Sequence, residues 1–159
     1  DSHESLPIVE TEKTDIEKSD LQPFKRVKAL PVAAMTAHVV YASYDNGAPA
    51  TLSKSVIENL IREQIGFTGL LFSDDLGMKA LSGTFKERAR SCLGAGCDIA
   101  LHCSGDLNEM VQVASGSSVM TEEALSSISL INAYRGRSRV EIDRSAVAFE
   151  VSSLLQAAA

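Results

Sequence analysis

Two adjacent aspartates follow an apolar run in the middle of this 159-residue chain. The stretch SDDLGM (73–78) comes directly after LLF (70–72). Carboxylates beside a buried run are costly unless a partner or a chemical task needs them. Where such a pair ends a strand, one carboxylate can face a binding cleft while its neighbour points away. Catalysis and a helix-capping role for Asp74 or Asp75 are equally good readings of this stretch alone.

Three further polar clusters contain side chains that can take part in acid–base chemistry. They are Asp1-Ser2-His3, Thr36-Ala37-His38 and His102-Cys103-Ser104. Asp1 and His3 are two residues apart, so an extended backbone would put the carboxylate and the imidazole on the same side. A carboxylate there could hold the ring and favour its protonated form. Taken by itself, this cluster is more typical of a frayed chain end.

The other histidines and the methionines have structural readings beside the functional ones. His38 is a candidate for a pocket wall, and a buried, hydrogen-bonded histidine is an equally good reading. His102 is interpreted as structural because it falls within an apolar run. Met78 is a second pocket-wall candidate, and Met35 is a core or pocket residue. Neither methionine carries a cofactor signal.

Strand-like and helical segments alternate from Ser19 onward, which is typical of βα units and a parallel sheet. The predicted strands are the apolar runs 31–40, 70–74 and 99–103, and the first is expected to be buried on both faces. A helix is predicted to begin at Ser53 and to end at Gly66. Its apolar face consists of Val56, Ile57, Leu60, Ile61 and Ile65.

Capping patterns predict where two later helices begin. Thr84 and Glu87 form a capping box. Asp106 with Glu109 resembles another helix start. This second helix is expected to bury a stripe formed by Leu107, Met110, Val111 and Ala114. Two outer helices are predicted from about 121 to 134 and from about 143 to 155. Because three parallel strands leave unpaired edges, the chain is predicted to be part of a larger α/β domain.

The composition excludes several classes of protein. An apolar fraction of 45% is enough for a buried core. The net charge of −6 comes without a block of like charges, so neither nucleic acid nor an anionic membrane surface is an expected partner. The longest mostly apolar stretch, 29–42, is too short to span a bilayer. Cys92, Cys97 and Cys103 lie in apolar or small-residue stretches, which predicts structural thiols in a reducing compartment and no metal site.

Four stretches resemble glycoside hydrolase family 3, and specifically its single-domain bacterial β-N-acetylglucosaminidases of peptidoglycan recycling. They are LPVAAMTAHVVY, the predicted helix at 52–65, GFTGLLFSDDLGMKAL and AGCDIALHCSGDLNEM. The resemblance runs from Asp1 to about Met110 and is most specific in SDDLGM and DSH. It implies a (β/α)8 TIM barrel of which this chain supplies only the C-terminal portion. That portion is a single partial catalytic domain, with an acid/base loop and connecting segment (1–18), about three βα units (19–117) and closing helices (118–159).

The resemblance also implies roles for individual residues. Asp74 takes the place of the family's nucleophile, and Asp1 and His3 take the place of an acid/base dyad on a mobile loop. Retaining glycoside hydrolysis needs a carboxylate that forms a glycosyl-enzyme bond and a second group that protonates the leaving oxygen. A histidine can serve as that second group because an imidazole changes its charge near neutral pH.

The activity implied by the resemblance is removal of terminal non-reducing β-linked N-acetylglucosamine. The expected substrate is a small glycan, an N-acetylglucosaminyl-1,6-anhydro-muropeptide, which is cleaved in the cytoplasm without a cofactor or a metal. The family's residues that grip the sugar hydroxyls come from earlier strands, which this sequence does not contain. Two alternatives stay open: a substrate-assisted hexosaminidase that uses Asp74 and Asp75 as an acidic pair, and an inactive barrel fragment or interaction module.

Overall fold

A computed structural model describes residues 1–137, 145 and 147–149. In chain order the elements are β1 (Ile8–Val9), α1 (Lys13–Lys18), α2 (Leu21–Val27), β2 (Ala34–Met35), β3 (Val40–Tyr41), a 3₁₀ turn (Ala50–Leu52), the π-helix π1 (Val56–Ile65), β4 (Leu71–Phe72), α3 (Phe85–Ala95), α4 (Leu107–Gly116) and α5 (Glu122–Arg137). Within the described residues, no helix is both long and apolar enough to cross a membrane.

Parallel strands joined by helices form the centre of the molecule. β2 pairs in parallel with β4, and Ala34 lies opposite Leu71. Phe72 of β4 then forms a parallel bridge to Ile99. π1 connects β2 to β4, and α3 connects β4 to Ile99. This order of strand, helix and strand confirms the predicted α/β class.

The predicted strands are longer than the observed ones, and the first of them shows why. The Thr36 N–H group still donates to β4 at 2.9 Å, and the chain then leaves the sheet. The carbonyl groups of Ala37 and Val39 accept hydrogen bonds from the Thr51 and Ala50 N–H groups at 3.3 and 2.8 Å. An apolar run indicates burial, but it does not say which backbone partner will satisfy the N–H and C=O groups. The predicted strands 70–74 and 99–103 are also longer than what is observed, which is β4 and a single bridge at Ile99.

The expectation that the first strand is buried on both faces is wrong. Met35 in β2 is 55% exposed. It lines an apolar cavity of about 350 Å³ that is also bounded by Leu21, Phe24 and Val27 of α2. Nothing in the described part of the chain covers the Met35 side of β2 fully.

Two apolar clusters form the core, and π1 contributes to both. The first lies between π1, β4 and α3 and consists of Ile57, Leu71, Leu76, Leu81, Ala89, Cys92, Ala95 and Cys97. The second lies between π1 and the first two helices and consists of Ile16, Leu21, Ala50, Val56, Leu60, Ile65 and Phe67. The predicted apolar face of π1 is therefore confirmed. Gly66 ends the helix at φ 77°, a conformation that glycine adopts without a steric cost.

A polar contact that the sequence did not predict fixes the amino end of β4. The Arg62 guanidinium donates to the Asp98 carboxylate at 2.9 Å and to the Gly69 carbonyl at 2.8 Å. The same Asp98 oxygen accepts from the Leu71 N–H group at 2.7 Å. Both charged side chains are about three-quarters buried, and a largely buried pair with this many hydrogen bonds is more favourable than an exposed one.

The two predicted helix starts are confirmed. The Thr84 hydroxyl oxygen accepts from the Glu87 N–H group at 3.3 Å, and the Glu87 carboxylate accepts from the Thr84 N–H group at 2.8 Å. These two bonds complete the capping box of α3. At α4, the Asp106 carboxylate accepts from the Asn108 and Glu109 N–H groups. Each cap satisfies backbone donors that a helix leaves free at its first turn.

We expect Thr84→Ala to lower the free energy of unfolding by about 1 kcal/mol, because the first turn of α3 loses its hydroxyl acceptor. Thr84→Ser keeps the hydroxyl and should change little. The cap bonds lower the pKa of the Glu87 carboxyl below its usual 4.5. Their stabilisation is therefore present at neutral pH and is lost as the pH falls through that lowered value. Thr84→Ala also removes the hydrogen bond that the hydroxyl donates to the Glu87 carboxylate, so its cost should be larger at pH 7 than at pH 3. Urea unfolding at both pH values measures this cost, and an equal loss at the two values would contradict the expectation.

The predicted buried stripe of α4 is wrong. Leu107, Met110 and Val111 are 72%, 48% and 60% exposed. The helix packs on α3 through another side: Val113 contacts the first core cluster, and Gly116 approaches the Lys86 carbonyl so closely that a Cβ atom would lie 2.2 Å away. The apolar periodicity was real, but this helix docks through the side that permits the closest backbone approach.

The chain ends agree with the sequence in part. α5 matches the predicted helix at about 121 to 134, and Thr121 accepts from the Ala124 N–H group at 3.2 Å. The helix predicted from about 143 to 155 lies outside the described residues except at 145 and 147–149, which are helical. In the segment 1–18, the structure adds β1 and α1 to the predicted loop, and α2 was also not predicted.

Candidate active site

Ser73 joins the end of β4 to the next strand. The side chain is fully buried. The Ser73 N–H group donates to the Ile99 carbonyl at 2.8 Å, and the Ser73 hydroxyl oxygen accepts from the Leu101 N–H group at 2.8 Å. The turn that carries the two aspartates therefore starts from a fixed point at the carboxyl end of the sheet, which is where parallel α/β folds place their ligands.

Both the side chain and the backbone carbonyl of Asp75 accept hydrogen bonds that hold the turn together. One carboxylate oxygen accepts from the Gly77 N–H group at 2.9 Å and from the Cys103 N–H group at 3.1 Å. The Asp75 carbonyl accepts from the Met78 N–H group at 3.1 Å and from the His38 Nε2 atom at 2.9 Å. A carboxylate that bonds two backbone donors from two loops has a structural role.

Asp74 is in a different position. Among the described residues, the one hydrogen bond to its carboxylate comes from the Asp75 N–H group at 2.9 Å. The residue is only partly buried, so a carboxylate oxygen stays available to a ligand. The two neighbouring acids thus separate into one that holds the backbone and one that is free to react.

His38 lies beneath this turn. It is fully buried, and its Nδ1 atom lies 2.9 Å from the Thr51 hydroxyl. Met78 is also nearly fully buried. Both residues border the turn from inside the protein, and their role as a pocket wall stays a prediction.

The Asp1–His3 pair forms as a local contact. The His3 Nδ1 atom lies 2.8 Å from an Asp1 carboxylate oxygen, which also accepts from the His3 N–H group at 3.0 Å. The backbone is a turn and not the extended strand that the spacing suggested, since the Asp1 carbonyl accepts from the Glu4 and Ser5 N–H groups. Both side chains are mostly exposed, and the Nε2 atom points away from the carboxylate that holds Nδ1.

A two-residue parallel pairing attaches the segment after this turn beyond the carboxyl end of β2. β1 pairs with β3, with Ile8 opposite Val40, and β3 begins four residues after Thr36 leaves β2. The Val40 N–H group also donates to the Pro7 carbonyl at 2.9 Å. The segment that follows the Asp1–His3 turn is therefore attached beyond the same strand ends that carry Asp74.

His102 is a buried ring in a hydrogen-bond network that links the turn to α4. Its side chain is 4% exposed, its Nε2 atom lies 3.0 Å from the Glu109 carboxylate, and its Nδ1 atom lies 3.5 Å from Asp75. The Ser104 hydroxyl donates to Glu109, and the ring packs against Phe85 at 4.8 Å between centroids. This arrangement supports the structural reading of His102. The partner Glu109 was visible in the sequence only as a helix-cap residue.

The cysteines differ in burial. Cys92 and Cys97 are buried, Cys103 is exposed, and all three are free thiols. Burial raises the pKa of the Cys92 thiol to about 11 and that of Cys97 to about 12. Desolvation and then the neighbouring charges of Asp75 and Asp74 raise the pKa of Cys103 as well. Among the described residues, no group of three or more His, Cys, Asp or Glu side chains is placed to hold a metal ion.

Comparison with known proteins identifies the family. The model described as the N-terminal domain of glycosyl hydrolase family 3 matches residues 1–130. The chain belongs to glycosyl hydrolase family 3. The β-hexosaminidase of Shewanella frigidimarina is 42% identical over 108 residues, which is 65% of this chain and 31% of that protein. The β-hexosaminidase of Thiobacillus denitrificans is 43% identical over 107 residues, again 65% of this chain and 30% of that one. The chain thus spans about a third of the length of these curated relatives.

Solved structures of family 3 proteins have the same fold as this chain. NagZ from Neisseria gonorrhoeae, solved in complex with N-trifluoroacetyl-D-glucosamine, is 32% identical with a TM-score of 0.74. The match covers 94% of this chain and 44% of the NagZ chain. The family 3 β-N-acetylglucosaminidase from a Paenibacillus species is 28% identical with a TM-score of 0.69, covering 91% of this chain and 30% of its own. The predicted resemblance to family 3 is confirmed.

Proposed function

We propose that this chain carries the reacting groups of a retaining glycosidase that removes terminal non-reducing β-linked N-acetylglucosamine. The observation that carries the proposal is that the two aspartates of the turn at 73–75, called the SDD turn below, make different contacts. Asp75 is bonded to the Gly77 and Cys103 N–H groups, whereas Asp74 keeps a carboxylate oxygen available. The relatives are a β-hexosaminidase and a β-N-acetylglucosaminidase, which supports an N-acetylhexosamine as the sugar.

The geometry suits a two-step mechanism. An Asp74 oxygen attacks the anomeric carbon, and the bond to the departing oxygen breaks as His3 gives that oxygen a proton from Nε2. Asp1 holds Nδ1 at 2.8 Å, so Nε2 is the atom left for proton transfer. In the second step His3 takes a proton from water, the water oxygen bonds to the anomeric carbon, and Asp74 leaves. Two displacements at one carbon return the original configuration.

The wider setting of the proposal follows from the resemblance. The strands β2, β4 and the bridge at Ile99 run in parallel with helices between them, which suits three consecutive units of a (β/α)8 barrel. The substrate would be a small muropeptide, an N-acetylglucosaminyl-1,6-anhydro-muropeptide in the cytoplasm. Nucleic acid, a membrane, a cofactor or a metal would take no part.

A second candidate is the substrate-assisted mechanism, in which the 2-acetamido oxygen attacks and an acidic pair polarises it. Asp75 is poorly suited to that pair, because its carboxylate already accepts two backbone hydrogen bonds.

A third candidate is an interaction module without turnover. The exposed apolar side chains of α4 favour a further contact surface.

A substrate series on the full-length protein separates these mechanisms. Aryl β-N-acetylglucosaminides with mono-, di- and trifluorinated acetamido groups weaken the acetamido oxygen as a nucleophile step by step. With Asp74 as nucleophile, we expect kcat to change only slightly along the series, and a fluorinated sugar inactivator to label the peptide that contains Asp74. A steep fall in kcat with fluorination would support substrate assistance, and a chain that neither turns over nor becomes labelled would support the interaction module.

A further inference from the structure

A chain of buried hydrogen bonds runs from the end of β2 to the SDD turn. The Thr36 hydroxyl lies 2.9 Å from the Thr51 hydroxyl, and that hydroxyl lies 2.9 Å from the His38 Nδ1 atom. On the other side of the ring, Nε2 lies 2.9 Å from the Asp75 carbonyl. Thr36, Thr51 and His38 are at most 6% exposed. Both ring nitrogens are therefore occupied by protein groups.

Chemistry fixes the donor at one end of this series of hydrogen bonds, and a neutral His38 ring then sets the direction of the Thr51 bond. A carbonyl oxygen can only accept, so the His38 Nε2 atom must carry a hydrogen and donate to Asp75. In the neutral ring the Nδ1 atom is then an acceptor, and the Thr51 hydroxyl donates to it. The Thr51 oxygen is left to accept from the Thr36 hydroxyl. The tautomer of His38 is thus set by its neighbours.

The Asp75 carbonyl accepts two hydrogen bonds, and the His38 ring supplies one of them. It already accepts from the Met78 N–H group at 3.1 Å, so the His38 bond fills its second lone pair. The Asp75 N–H group in turn donates to the Asp74 carboxylate. Asp75 therefore connects the His38 ring to the Asp74 carboxylate: its carbonyl group bonds the ring, and its N–H group bonds the carboxylate.

We propose that His38 is a positioning residue that sets the backbone of the SDD turn, and through it the orientation of the Asp74 carboxylate. The proposal rests on the function proposed for Asp74. It assigns His38 no contact with substrate and no proton transfer in the reaction. A misplaced carboxylate lowers the rate of the chemical step far more than it weakens substrate binding.

Two substitutions separate the two nitrogens of the ring. In His38→Gln the amide nitrogen reaches the position of Nε2 and can still donate to the Asp75 carbonyl. In His38→Asn the shorter amide reaches only the position of Nδ1. It can keep the Thr51 contact, but it loses the hydrogen bond to the Asp75 carbonyl. Thr51→Val removes the hydroxyl donor at similar shape and serves as a milder variant if His38→Asn does not fold.

Amide hydrogen exchange on the 15N-labelled chain tests the positioning without relying on activity. For His38→Asn we expect the Gly77 and Met78 N–H groups to exchange about tenfold faster or more, because their acceptor residue Asp75 is released. The Cys97 N–H group, which bonds the Cys92 carbonyl in the first core cluster, should exchange as before. His38→Gln should resemble the unaltered chain. Thr51→Val should fall between them.

Imidazole 15N spectra of the unaltered chain provide a measurement that needs no substitution. The expected result for His38 is a hydrogen on Nε2. A ring without a hydrogen on Nε2 would overturn the proposal, and so would equal exchange at Gly77 and Met78 in His38→Asn and His38→Gln.

Kinetics on the same variants separates this proposal from the function on which it rests. His38→Asn should lower kcat about a hundredfold with KM within about threefold, and His38→Gln should restore most of kcat. If the unaltered chain does not hydrolyse aryl β-N-acetylglucosaminides, the proposed function fails while the exchange result still decides whether His38 holds the turn. If the chain is active and His38→Asn keeps its kcat, the positioning role is wrong.

Discussion

Asp74→Asn should lower kcat for an aryl β-N-acetylglucosaminide by on the order of 10⁴-fold to 10⁶-fold, because the reaction loses the oxygen that forms the covalent intermediate. The fold should be unaffected. The asparagine carbonyl oxygen can still accept from the Asp75 N–H group, which is the bond that the Asp74 carboxylate makes at 2.9 Å. Steady-state turnover with thermal unfolding of the same samples measures both effects.

Asp75→Asn is the matched control, since it removes the neighbouring charge. Its amide oxygen can accept from the Gly77 and Cys103 N–H groups as the carboxylate does at 2.9 and 3.1 Å. We expect kcat to fall less than about tenfold, with a modest loss of stability as a charge-assisted pair of bonds becomes neutral. A dead Asp75→Asn beside a nearly normal Asp74→Asn would reverse the assignment of the two acids.

His3→Ala should slow hydrolysis most for substrates with poor leaving groups. A departing oxygen that is already a weak base gains little from a proton donor, whereas an alkoxide depends on one, and general-acid assistance contributes roughly 10²-fold to 10⁴-fold. The kcat/KM for an activated aryl glycoside should therefore change little, and the kcat/KM for an alkyl glycoside should fall by that range. The measurement is kcat/KM against leaving-group acidity for the unaltered and altered chains.

Two neighbours of His3 provide the controls. Asp1→Asn should reproduce part of the His3→Ala effect, because the carboxylate that holds Nδ1 at 2.8 Å is lost. Ser2→Ala leaves that pair intact and should behave like the unaltered chain. Parallel leaving-group plots for the unaltered chain and His3→Ala would show that another group donates the proton.

Local signals in the sequence predicted local structure well. The capping box at Thr84 and the Gly66 stop each involve residues within one helical turn, and both are present. The apolar face of π1 was also predicted correctly, because the spacing of apolar residues along a helix identifies the face that becomes buried. Strand lengths failed, since Ala37 and Val39 bond the 3₁₀ turn and not the neighbouring strand.

Long-range partners were beyond the sequence. Arg62 and Asp98 are 36 residues apart, and nothing in their spacing marks them as a pair. The choice between the two acids of the SDD turn was open for the same reason. It depends on the Cys103 N–H group and on the His38 ring, which approach Asp75 from 28 and 37 residues away. The α4 stripe failed because periodicity identifies an apolar side but not the neighbour that covers it.

The Arg62–Asp98 contact fastens β4 at its amino end, while the SDD turn follows its carboxyl end. The groups that maintain the sheet and the groups proposed to meet the sugar are thus different residues, separated by the length of the strand. Substitutions in the loop that follows β4 need not disturb the Arg62–Asp98 contact, but Leu76 and Leu81 of that loop belong to the first core cluster. The changes that leave the fold intact are therefore expected at its exposed positions, such as Lys79 and Ser82.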